Sequence, residues 1–125
     1  MKNNSAQRSR TTDLGAVRIN NDVITAIASV AACEVKGVFR MGGGLGATLY
    51  EMMTKKPVIK GVKIQTMDSD VKLAVSIVVD YGIDIPRIAD EVQEKVKLAV
   101  EKMTGLVLSE VNVIVEGVAV KPREK

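Results

Sequence analysis

No histidine occurs in this 125-residue chain, and it has one cysteine, no tryptophan and only 2% aromatic residues. Each shortage removes a class of function. Without His, the commonest general base, the usual nucleophile-activating partner and the most frequent metal ligand are lost together. Cys33 lacks the second cysteine that an intramolecular disulfide, a CxxC redox pair or a thiolate-rich zinc site requires. Phe39, Tyr50 and Tyr81 are the only aromatics, so the core must be aliphatic and surfaces for stacking bases are scarce. No apolar run approaches the ~20 residues that span a bilayer. Lys2, Arg8 and Arg10 are not followed by the apolar segment of a secretory signal. These absences predict one cytoplasmic domain with no catalytic residues, no cofactor and no metal site.

What the chain does have is periodicity. Val71, Leu73, Val75, Ile77, Val79 and Tyr81 alternate with smaller or polar residues, the period of a half-buried strand. Gly82 ends it, and Asp84 with Pro86 opens a helix. Ile85, Ile88, Ala89, Val92, Val96, Ala99, Val100 and Met103 form one helical stripe, closed by Gly105 after Thr104. Val107, Val111, Val113 and Val115 then resume alternation.

The remaining elements are a strand near Ala16–Asn20, a helix from about Asp22 to Lys36 and a glycine-rich loop over Gly42–Gly46. A short helix near Ala47–Lys55 and a strand at Gly61–Met67 follow, with a tight Asp68-Ser69-Asp70 turn into the next strand. The order is β-α-(α)-β-β-α-β. It predicts an α/β fold of the α+β kind, in two layers, with a mainly antiparallel sheet and helices on one face. The other face would carry Arg18, Lys63, Gln65, Lys72, Ser76, Asp80, Glu110, Asn112 and Glu116. Residues 1–14 read as a disordered basic arm, 15–120 as the single domain and 121–125 as a charged tail.

Three features point to interaction. On the first helix Ile24, Ile27, Ala28, Ala31 and Val35 form the core stripe, while Thr25, Ala26, Ser29, Ala32 and Cys33 make a far side of small residues. That face admits a close subunit contact at Ala26, Ser29 and Cys33, or is a bland solvated surface. From Lys36 to Lys63 six basic residues, Lys55, Lys56 and Lys60 among them, stand against the single acid Glu51, a local charge of +5. The run Gly42-Gly43-Gly44-Leu45-Gly46-Ala47 formally fits a dinucleotide fingerprint, but a helix rather than a strand is expected before it. Gly43 to Gly46 also fits the GxxG clamp of a KH domain, which would bind RNA backbone, although neither central residue is basic. A flexible turn is the simpler reading of the glycines.

From Val17 to Val120 the chain resembles the alkaline shock protein family, also called the general stress protein family. The resemblance rests on VRINNDVITAIASVAACEVKGVFRM, the glycine turn, KGVKI, VDYGIDIPRIADEVQEKVKLAVEKMTGL and SEVNVIVEGV. Its most specific parts are Tyr81, Gly82, Ile85 and Pro86, then the MTG and VNV segments. It implies a non-enzymatic, stress-associated scaffold or binding domain in the cytoplasm. The implied partners are further copies of the chain or a membrane-anchored protein, with RNA as the alternative. The family supplies no catalytic residues to transfer.

Overall fold

The computed structural model describes residues 7–43, 61–67 and 70–120. Its elements are β1 (Gln7–Thr12), β2 (Gly15–Asn20), α1 (Asn21–Cys33), β3 (Val38–Met41), β4 (Val62–Met67), β5 (Asp70–Asp80), α2 (Ile85–Thr104) and β6 (Glu110–Ala119). The expected α+β architecture is present. Strand β5 is the axis of a four-stranded sheet, antiparallel to β3 and β4 and parallel to β6. Since β6 runs along β5 from Lys72 to Asp80, β3 and β4 share the other edge end to end.

The alternation in β5 turns Val71, Leu73, Val75, Ile77 and Val79 into the core, each no more than 2% exposed. Ile88, Val92, Val96 and Val100 of α2 join the same core, all at 1% or less. Helix α2 begins at Asp84, whose side chain accepts from the Arg87 N–H, and ends at Gly105 in the left-handed conformation at φ 79°. Helix α1 lies beside it and buries Ile24, Ala28, Ala31 and Ala32. Lacking aromatics to fill the layer, the core closes by bringing alanine surfaces near, as dense interiors require.

The structure departs from the sequence reading at several places. The arm expected over residues 1–14 contains β1, which pairs with β2 through a two-residue turn from Gln7↔Asn20 to Thr12↔Gly15. Thus the Ala16–Asn20 strand belongs to a separate hairpin, and Arg18 is not on the main sheet. Helix α1 stops at Cys33 rather than Lys36, and Gly37 at φ 108° turns the chain into β3. That strand is only four residues long, too short for its period to stand out. Asn20 supplies a further cap, its side chain accepting from the Asp22 N–H at 3.2 Å. Ala32, expected outward, is fully buried, while Met103 and Ile85, placed on the α2 stripe, are exposed. The short helix expected over Ala47–Lys55 lies outside the described residues, as do Asp68 and Ser69 of the tight turn.

Two local devices hold the layers in register. On the shared edge of β5, Ser76 donates its N–H to the Gly61 carbonyl at 2.7 Å and accepts from the Gly42 N–H at 2.8 Å. A Cβ on Gly61, at φ +82°, would stand 2.9 Å from the Ser76 carbonyl oxygen; one on Gly42 would press on the Glu116 carboxylate, 2.7 Å from its carbon. Between α2 and β6, Glu101 accepts from Lys97 Nζ at 2.7 Å and from the Leu108 N–H at 2.8 Å. These bonds, that to Lys97 first, hold the Glu101 carboxyl below the usual carboxylate range.

Gly61→Ala is expected to destabilise by roughly 1–2 kcal/mol through its left-handed backbone alone. Gly42→Ala should cost less, because the Glu116 side chain can swing aside; urea unfolding of the two variants measures the difference. For Glu101 the folded carboxyl binds its proton less tightly than the unfolded one. Its contribution is therefore complete above the ordinary carboxylate range and is lost as pH falls through the lowered folded value. Unfolding midpoints followed from about pH 7 to about pH 3 should fall less steeply for Glu101→Gln than for the wild type.

Candidate functional site: an apolar groove between the helices

Small side chains let two helices approach, but they also leave space beside the line of contact. Where α1 meets α2, Ala26, Ile27, Val30 and Ala31 face Ala99 and Met103 across a groove of about 370 Å³, with Glu34 at one end. Val30 is 60% exposed and Met103 69%, so the rim is aliphatic and open. An exposed apolar patch of this kind is unusual for a solvated helix face, which favours charge.

Beyond Glu34 the groove continues into a charged depression of about 330 Å³ lined by Val35, Lys36, Glu91, Glu94, Lys95 and Leu98. Glu34 and Lys95 approach to 3.8 Å across the helices, and both side chains are about half exposed. Such a pair contributes ~1 kcal/mol at most, and its charges remain available to a partner. The surface therefore has an apolar end and a zwitterionic end.

The predicted contact residues do not all converge on this groove. Ala26 lines it. Ser29 is half-buried, and Cys33 is exposed on α1 but outside the lining. Partial burial pushes the Cys33 thiol up from its ordinary value, the opposite of the shift that activates a nucleophile. Gly43 lies on the far side of the sheet, where its N–H donates to Glu116 Oε1 at 3.3 Å. There it borders a depression of about 570 Å³ with Gly61, Lys63, Ala74, Ser76 and Ile114. Gly46, Lys55, Lys56 and Lys60 lie outside the described residues. The helix expected before the glycine loop is replaced by strand β3, so the two-helix setting of a KH clamp is not met on that side.

Sequence reasoning missed Val30 and Met103. Val30 is separated from Ala26 by one helical turn, so a wheel places both on one outward edge. Met103 continues the spacing of the α2 stripe, but it stands with Ala99 on the edge that faces α1, where the groove leaves it open. Among the described residues no group of three or more His, Cys, Asp or Glu is placed to hold a metal ion. Likewise no helix among them is long and apolar enough to cross a membrane.

Residues 9–120 match the family of alkaline shock protein 23, described as having a cell envelope-related function. YqhY of Bacillus subtilis is 37% identical over 120 residues, covering 94% of this chain and 89% of that protein. YloU of the same organism is 32% identical over 111 residues, covering 87% and 92%. A stress response regulator gls24 homolog of Streptococcus pyogenes serotype M3 is 29% identical over 108 residues, 86% of this chain and 60% of that one. A solved MamM CTD chain shares 18% identity at a TM-score of 0.49, over 84% of this chain and 100% of its own. The chain belongs to the alkaline shock protein 23 family, and its expected membership is thereby met.

Proposed function

We propose that this domain is a non-catalytic adaptor of the envelope stress response, acting in the cytoplasm by docking protein partners in the α1–α2 groove. The carrying observation is the open aliphatic rim of Val30 and Met103 above the alanine floor. An apolar side chain entering there would remove its own surface and that rim from water, the main driving force of association. Glu34 and Lys95 at the charged end would fix its orientation rather than its affinity. A membrane-anchored protein is the partner class that joins such a groove to the envelope-related role of the family. The non-catalytic reading is supported by the lack of histidine and by a cysteine whose thiol is held protonated.

Fractionation of cells producing the chain tests this reading. Wild-type protein should sediment in part with the envelope. Val30→Glu, at an exposed position, should move it to the supernatant without loss of fold by circular dichroism, whereas Lys63→Glu on the outer sheet should not. Envelope association unchanged by Val30→Glu would contradict the proposal. Tight, salt-sensitive binding of single-stranded RNA that persists in Val30→Glu would favour RNA as the ligand instead.

A further inference from the structure

The β1–β2 hairpin carries an apolar residue that none of the described residues covers. Its tip is Asp13-Leu14, held by the Leu14 N–H donating to Thr12 Oγ1 at 3.1 Å and by Thr12 Oγ1 donating to the Gly15 carbonyl at 3.4 Å. Turn tips favour Gly, Asn and Asp for conformational reasons, and leucine meets none of them. Leu14 is nevertheless there, and it is 100% exposed. Val17 on β2 is 61% exposed, whereas Ile19, nearer the base of the hairpin, packs against the core.

We propose that the Leu14 tip of one copy of this chain seats in the α1–α2 groove of a second copy. The inference rests on the reading of that groove as a contact surface and names one of its occupants. A groove of about 370 Å³ with Ala26, Val30 and Met103 around it suits a single branched aliphatic side chain and its neighbours. Full exposure shows that the tip does not occupy the groove of its own chain. Nor is there a linker by which to reach it, because β2 runs directly through the Asn20 cap into α1.

Charge points the same way. Between residues 7 and 20 the hairpin carries Arg8, Arg10 and Arg18 against Asp13, a net +2. Residues 21–36 contribute Asp22 and Glu34 against Lys36, and α2 has four acids against four bases, so the helix layer is net −1. A hairpin thus meets a layer of opposite sign, which favours encounter and suppresses hairpin-to-hairpin contact. Since each copy owns one tip and one groove, a two-fold pair satisfies both at once.

Two chains that differ only in the placement of one cysteine test the pairing. Leu14→Cys and Val30→Cys are each made with Cys33→Ser, then mixed under mild oxidation. The mixture should accumulate a disulfide-linked heterodimer well above the linked product of either variant alone. In parallel, light scattering at high micromolar concentration should show Leu14→Asp and Ala26→Arg reduced from twice 13.4 kDa to 13.4 kDa. A wild type that is itself monomeric there overturns the proposal, leaving the groove to an unlike partner. If Ala26→Arg dissociates the dimer and Leu14→Asp does not, the groove is the contact and the hairpin is not its occupant. Dissociation by neither, with no heterodimer in the mixture, overturns both the hairpin and the groove.

Discussion

Everything in this domain leans on the aliphatic core that β5 and α2 share, with α2 lying against α1 and β6. Five alternate residues of β5 and four residues at helical spacing on α2 are almost completely withdrawn from water. At ~25 cal/mol for each Å² of apolar surface, side chains of this size contribute roughly 1.5–3 kcal/mol apiece when fully buried. That core fixes which face of the sheet is inside. It also places β6, because the chain leaving α2 at Gly105 returns parallel to β5 with Glu101 holding the Leu108 N–H. The other elements add to this unit rather than define it.

Helix α1 shows how composition shapes the surface. A layer without tryptophan and with 2% aromatics has few bulky side chains to fill its gaps. Instead Ala28 and Ala32 sit at 0% exposure, and the helix comes close to its neighbours. The same economy of volume at Ala26 and Ala99 leaves the groove open, with Val30 and Met103 standing at its rim. The interaction surface is therefore a by-product of packing with small residues. Its apolar character follows from residues that a solvated helix would have replaced with Lys or Glu.

The β5–α2–β6 unit was legible because several signals agree there: alternation, then Asp84 and Pro86, then a long stripe, then Gly105. Such agreement across levels is what specifies structure. Strand β3 was not legible, since four residues carry too little period and Gly37 looks like any helix stop. Hairpin strand β1 was hidden because its sequence, QRSRTT, is polar and takes its partner from six residues beyond a tight turn. At the groove, Ala26 was visible as a small residue on an outward face. Val30 was not, because a lone valine on a helix surface carries no signal until the neighbouring helix is placed. Met103 misled for a related reason: its spacing continues the α2 stripe, yet it lines the groove beside α1 rather than the core.

Two methionines of equal exposure give the most direct test that the helix layer is a protein contact surface. Met103 borders the groove and Met67 ends β4, and each is 69% exposed in the single chain. The rate of sulfoxide formation at each, under dilute peroxide, can be read by mass spectrometry in the associated and the dilute protein. The account predicts that association slows oxidation of Met103 severalfold and leaves Met67 unchanged. Equal oxidation of both in the associated state, or protection of Met67 alone, would contradict it.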